Sequence, residues 1–125
     1  MIRVINKSEL LPLMDIAKLS GLVFNNSTHL YFGFFKDGVL VGFCGAMLMK
    51  NKAVLKNGFV IKQERCKGIY RQLNEHRLNY LRALGIKTIE GNMTDKSLPL
   101  HLKAGASIIK KFKICTKIQY QWQEQ

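Results

Sequence analysis

Three strand-like runs in close succession constrain this chain more than any other feature. Residues 29–35, 39–49 and 54–61 are rich in aromatic and β-branched side chains, and only KDG and KNKA separate them. Asp-Gly between alternating apolar runs is a strong hairpin signal, so the three strands form an antiparallel meander. At Gly68 the period changes. Ile69, Leu73, Tyr80, Leu81 and Leu84 fall on one face of a helix, which Gly85 ends as a left-handed cap. A strand at 86–91 follows. A helix that carries the chain from one strand to a neighbouring one makes that pair parallel.

The flanks complete the order. Ile2–Ile5 is a short strand, and Ser8 is positioned to cap a helix running to Leu19, with Glu9 favourable in its first turn. The stretch SGLVFNNSTH, residues 20–29, reads as a loop or a second short helix. Residues 97–104 form a short helix that tolerates Pro99 in its first turn, Gly105 stops it, and 108–113 and 115–122 make a closing strand pair. The order β-α-β-β-β-α-β-α-β-β is an α+β fold, a mixed, mostly antiparallel sheet whose fourth and fifth strands are parallel. The 125 residues show no linker or repeat, so 1–125 reads as a single domain.

The beginning MIRVINKSELLPLMD lacks the apolar core of a signal peptide, and the most apolar stretch, 39–49, is too short to span a membrane. The expectation is a soluble, cytoplasmic protein without membrane contact. Cys44, Cys66 and Cys115 show neither a disulfide framework nor a metal spacing. Cys44 and Cys115 sit among strand residues and read as core thiols. Cys66, between two cations, is either a reactive thiol or a tolerated loop residue. No metal-ligand cluster and no Ser/His/Asp arrangement emerges.

The formal net charge is +12, of which +4 lies in residues 1–60 and +8 in residues 61–125. Such a field draws phosphates, nucleic acid or acidic partners, although fifteen of the twenty cations are lysines, which are commonly solvated. The densest cluster, QERCKGIYRQL, lies between a strand and the start of the Gly68 helix. The first amides of a helix have no intrahelical acceptors and its dipole favours negative charge there. Gly68 lets the backbone approach a ligand, and Arg65, Lys67 and Arg71 add full charges. A phosphate site and a solvated basic turn both fit these residues.

With its preceding strand, VIKQERCKGIYRQL resembles the acetyl-CoA-binding signature of the GNAT superfamily of N-acetyltransferases, Arg/Gln-x-x-Gly-x-Gly/Ala after a strand. Arg65, Gly68 and the preceding Val60 fall in register, and Tyr70 stands where the last small residue is usual. The strand and helix order is also similar to that family's along nearly the whole chain, with the helical region after the first strand shortened. Downstream, TDKSLPLHLKAGAS resembles the family's Asn-x-x-Ala-x-x-Leu-Tyr-x-x-x-Gly-Phe element. Thr94 replaces Asn, Ser97 replaces Ala, His101 replaces Tyr, Gly105 matches and Ala106 replaces Phe.

The resemblance implies direct transfer of an acetyl group from acetyl-CoA, the co-substrate, to a primary amine in a ternary complex. It implies cofactor contacts from Phe59, Val60 and Ile61 along the pantetheine arm, at a point where the strand parts from its parallel neighbour. Arg65, Cys66, Lys67, Gly68, Ile69, Tyr70 and Arg71 would surround the pyrophosphate, with Thr94 nearby. An amide near Phe59 or Val60 would polarise the thioester carbonyl. His101, at the tyrosine's position, is the candidate acid for the departing thiolate or else a packed helix histidine. The strand carries Lys56 and Asn57 but no carboxylate base, which leaves Glu64, Glu90 and His29 as substitutes, or a water chain or a partly neutral amine that needs no dedicated base. His76 reads as structural or surface, and Tyr31, Phe32, Phe34 and Phe35 as core.

The acceptor stays open among a polyanion-linked amine such as aminoacyl-tRNA or a DNA base, a small amine and a protein lysine. Two non-enzymatic readings also remain: a basic nucleic-acid-binding module on the same fold, and a regulatory protein that binds CoA without transfer. The family's exposed edge strands lead one to expect a homodimer in some members.

Overall fold

The computed structural model describes residues 1–22, 24 and 30–122. One seven-stranded sheet organises them. Its strands are β1 (Ile2–Ile5), β2 (Leu30–Lys36), β3 (Val39–Leu48), β4 (Ala53–Val60), β5 (Thr88–Met93), β6 (Ser107–Lys111) and β7 (Thr116–Gln121). They lie in the order β1-β2-β3-β4-β5-β7-β6, with every pair antiparallel except β4 and β5. The helices are α1 (Lys7–Leu19), α2 (Ile69–Ala83) and α3 (Leu98–Lys103).

The expected meander is present. Asp37 (φ 50°) and Gly38 (φ 79°) are both left-handed in the turn between β2 and β3, the twist-compatible hairpin geometry. The α1 cap is not Ser8 but Asn6. Asn6 accepts the Glu9 amide at 2.9 Å, and Glu9 reaches back to the Asn6 amide at 3.1 Å, a reciprocal capping box. Ser8 lies inside the helix and donates to Asn6. The loop-or-helix expectation for 20–29 falls mostly outside the described residues, as does His29.

Two layers cover the sheet. On one face, Leu10, Leu13 and Ala17 of α1 pack with Ile5, Tyr31, Phe43 and Phe59. Toward α2, Ile69 and Leu73 pack with Phe32, Cys44 and Val60, while Leu78 and Leu81 pack with Leu55, Ile89 and Ile118. Leu84, expected on that apolar face, is exposed at 54%, because the helix has already ended at Ala83. Asn74 and Arg77 occupy the buried stripe in its place. Cys44 is buried as expected, whereas Cys115 is only half-buried in the β6–β7 connection. The edge strand β6 is exposed along its whole length.

Candidate active site

A parallel pair that opens along its length creates the site. β4 and β5 pair only at Ala53 with Ile89 and Val54 with Glu90. Beyond Val54 they part, and a bulge explains why. Cys44 faces Gly58 and Gly45 faces Lys56, which leaves Asn57 unopposed with φ 44°. An extra residue on one strand bends it away from its neighbour. The resulting cleft has a volume of about 850 Å³ and runs between residues 55–60 of β4 and residues 92–94 of β5 and its C-terminal end.

The mouth of the cleft is the basic turn. A 3-10 turn at Lys62–Glu64 leads through Arg65 to Cys66 (φ 64°) and Gly68 (φ 80°), the N-cap of α2. The Gln72 amide is the first to bond within the helix, to the Gly68 carbonyl, so the amides of Ile69, Tyr70 and Arg71 remain to serve a ligand. Arg65 is pre-positioned: its Nε donates to the Val60 carbonyl at 2.8 Å, and its guanidinium lies 5.4 Å from the Phe59 ring centre. A Cβ at Gly68 would lie 3.3 Å from Arg71 Nη2, which places that guanidinium directly over the glycine. Cys66 is exposed beside it.

Glu64 also lies at this mouth, but its carboxylate is already engaged. Lys36 Nζ lies 2.9 Å and Lys67 Nζ 3.1 Å from its oxygens, and their donated hydrogen bonds hold its pKa below the usual carboxylate value. Glu90 bridges Lys52 at 3.2 Å and Lys117 at 3.6 Å. It projects from β5 on the face opposite buried Ile89. Neither carboxylate is free, and His29 lies outside the described residues. Thr94 lines the cleft and shapes the entry to α3, its carbonyl accepting the Ser97 and Leu98 amides.

Beneath the cleft is a buried polar chain that the sequence reading left unassembled. The Tyr70 ring rests on Gly58, so tightly that a Cβ there would come 2.5 Å from Tyr70 Cε1. The Tyr70 hydroxyl lies 3.2 Å from His101 Nε2 and accepts from Arg77 Nη2 at 3.3 Å. Arg77, 1% exposed, also donates to the Gly45 and Lys56 carbonyls at the bulge and to Asn74 Oδ1. On the far side, His101 Nδ1 lies 2.6 Å from the Tyr120 hydroxyl. The Tyr120 hydroxyl also donates to the His101 carbonyl at 3.3 Å and accepts from Asn74 Nδ2 at 3.4 Å, and the imidazole tautomer sets the direction of the two ring contacts.

His101 is wholly buried. Burial first, and then the Arg77 charge, push its pKa down to about 4. It is a neutral imidazole behind Tyr70, with its ring nitrogens committed to two tyrosines. Tyr70, Asn74 and Arg77 recur at i, i+4 and i+7 within the apolar stripe of α2. That polar interruption of a buried face was the available sequence signal. Among the described residues no His, Cys, Asp or Glu cluster can hold a metal, and no helix is long and apolar enough to cross a membrane.

At the level of sequence, no family model and no curated relative matches the chain. Solved structures do. The PaiA N-acetyltransferase of Thermoplasma acidophilum, in complex with coenzyme A, is 14% identical with a TM-score of 0.79, over 98% of this chain and 99% of that one. A ribosomal-protein-alanine N-acetyltransferase of Brucella melitensis is 15% identical with a TM-score of 0.80, over 98% and 99%. YncA of Salmonella typhimurium, with its cofactor acetyl-CoA, is 14% identical with a TM-score of 0.77, over 100% and 95%. The parted β4–β5 pair and the glycine turn at its mouth thus stand within the fold of the GNAT N-acetyltransferases.

Proposed function

We propose that this chain is an acetyl-CoA-dependent N-acetyltransferase that moves an acetyl group to a primary amine by direct attack in a ternary complex. The observation that carries this reading is the parting of β4 from β5 directly in front of a cationic, glycine-containing helix start. An acyl-CoA needs an extended slot for its arm and an anion site for its diphosphate. The cleft-side edge of β4, which has no strand partner beyond Val54, offers the first by strand addition at Phe59 and Val60, with Ile61 just past its end. The free amides at Ile69, Tyr70 and Arg71, with Arg65 and Lys67, offer the second, and Cys66, Gly68 and Thr94 complete the wall.

In this reading an amide near Phe59 or Val60 polarises the thioester carbonyl, at a strand edge made available by the bulge. His101 acts through Tyr70, as the acceptor that fixes the phenol, since its own ring is neutral and buried. Glu64, held by two lysines, serves the turn's charge balance, and the amine loses its proton to water. The second-half surplus of +8 supports an acceptor amine attached to a polyanion such as tRNA or DNA. The exposed edge of β6 supports pairing of two copies.

Calorimetric titration with acetyl-CoA at low and moderate salt tests the reading. Saturable one-to-one binding that is lost in Gly68→Val supports it. No binding at millimolar cofactor overturns it, and leaves nucleic-acid affinity with a steep salt dependence as the reading to test on the same surface.

A further inference from the structure

Arg77 presents a problem that packing does not explain. It is a guanidinium with 1% of its surface exposed, and no carboxylate touches it among the described residues. Its contacts are two carbonyls, the Asn74 amide oxygen and the Tyr70 hydroxyl, and its Nε has no partner. Among the described residues, nothing else packed around it carries negative charge. The Cys44 thiol from β3 and the Tyr120 hydroxyl from β7 are pushed up by burial and stay neutral, and His101 from α3 is neutral too. An isolated buried cation is costly, and chains ordinarily pair it or replace it. This one nevertheless lines the cleft, together with the rim cations Lys56, Arg65, Arg71 and Lys96 and with Glu64, whose charge two lysines already meet.

The geometry assigns Arg77 as the built-in counter-charge for the sulfur that leaves the acyl donor, acting through the Tyr70 hydroxyl at the β4 bulge. This inference rests on the acyl-CoA reading above. An arm with its phosphates at the Gly68 turn and its chain along Phe59 and Val60 brings its reacting end toward the bulge. There Arg77 holds the Lys56 carbonyl with one nitrogen and Tyr70 with the other. During transfer the amine nitrogen bonds the acetyl carbon, the carbon–sulfur bond breaks, and its electron pair stays on sulfur. The amine proton goes to water. In this scheme the His101 proton sits on Nδ1, so Tyr70 can swing its hydrogen from Nε2 toward the thiolate and keep it, while Arg77 polarises the phenol from behind. The sulfur leaves as a stabilised anion, and no acid with a near-neutral pKa is required. Arg77 is a positioning residue in this scheme, since it acts on sulfur through Tyr70.

The test is the affinity of CoA relative to desulfo-CoA, in which hydrogen replaces the thiol, measured by calorimetry from about pH 7 to about pH 9, across the usual thiol range. The ratio cancels every titration that does not involve the sulfur. In the wild type it is expected to rise about sixfold in favour of CoA as the thiol ionises, which is what roughly one unit of downward shift in the bound thiol gives over that range. Arg77→Met abolishes the rise while desulfo-CoA still binds, Arg77→Lys retains part of it, and Tyr70→Phe reduces it. A flat or falling ratio in the wild type overturns the inference, as does an undiminished rise in Arg77→Met. Should Arg77→Met fail to fold, the wild type against Tyr70→Phe decides, because that change removes one oxygen only. Binding of both ligands without the pH-dependent ratio sinks this inference alone, whereas binding of neither sinks the acyl-CoA reading with it.

Discussion

His101 Nδ1 and the Tyr120 hydroxyl lie 2.6 Å apart in a site with no solvent access to the imidazole. The folded pKa of about 4, against 6.5 for the free group, means that the unfolded chain takes up a proton the folded chain refuses. Stability is therefore complete above pH 6.5 and falls as the pH drops toward 4. Between about pH 7.5 and pH 5 the loss from this group is about 2 kcal/mol. Urea unfolding at the two pH values measures it. His101→Gln, which keeps a donor and an acceptor but cannot titrate, should flatten the difference. The paired carboxylates Glu9 and Glu64 have depressed pKa values and lose their contributions only at lower pH, so they do not imitate the effect.

Gly58 and Tyr70 are expected to be coupled. A methyl group at position 58 would sit 2.5 Å from a ring atom that cannot retreat without breaking the hydroxyl's bonds to His101 and Arg77. Gly58→Ala should cost about 1–3 kcal/mol, as over-packing does. Tyr70→Phe keeps the ring but frees it from its bonds to His101 and Arg77, so it should relieve the penalty only in part. Tyr70→Ala removes the ring, so in that background the Gly58→Ala penalty should vanish. A double-mutant cycle by thermal or urea unfolding reads the coupling, and equal penalties in both backgrounds would show that the ring does not rest on β4 as described.

Much of this arrangement was legible from the residues. Asp37-Gly38 declared the first hairpin, and the change of period at Gly68 located α2 and with it the parallel crossover. The cation cluster could be placed at a helix start because Gly68 follows a strand. What stayed hidden depended on pairing across distance. The bulge at Asn57 had a local sign in Asn57-Gly58 within a strand run, but its effect shows only in the ladder, where Cys44 faces Gly58 and Gly45 faces Lys56. His101 stayed open between an acid and a packed helix histidine because its position was known and its depth was not. Arg77 drew no reading from the sequence, and it is the two carbonyls at the bulge, with Asn74 and Tyr70, that hold it inside.

Glu64 restrains the turn it sits in. Its carboxylate lines the cleft mouth, where it partly neutralises Lys36 and Lys67 and adds a negative charge beside the proposed diphosphate site. Glu64→Gln should therefore tighten CoA binding severalfold at low ionic strength, and the gain should fade toward about 1 M salt, where screening shortens the reach of charge to about 3 Å. Calorimetry at two salt concentrations checks this. Weaker binding at low salt would show instead that the carboxylate is needed to order the lysines.

Arg65 and Lys67 should differ although both lie in the turn. The Arg65 side chain is held by the Val60 carbonyl and the Phe59 ring before any ligand arrives, so a bound phosphate need not immobilise it. Lys67 must first leave Glu64, exchanging one charge pair for another. Arg65→Ala should weaken CoA binding by about tenfold or more, in line with the loss of a charge-assisted hydrogen bond of about 1.5–3 kcal/mol. Lys67→Ala should weaken it only about two- to threefold, since the pair it breaks is an exposed one. Dephospho-CoA and CoA titrated side by side locate the effect: if Arg65 serves the pyrophosphate, the Arg65→Ala loss is the same for both ligands, and a loss confined to CoA would move Arg65 to the ribose phosphate.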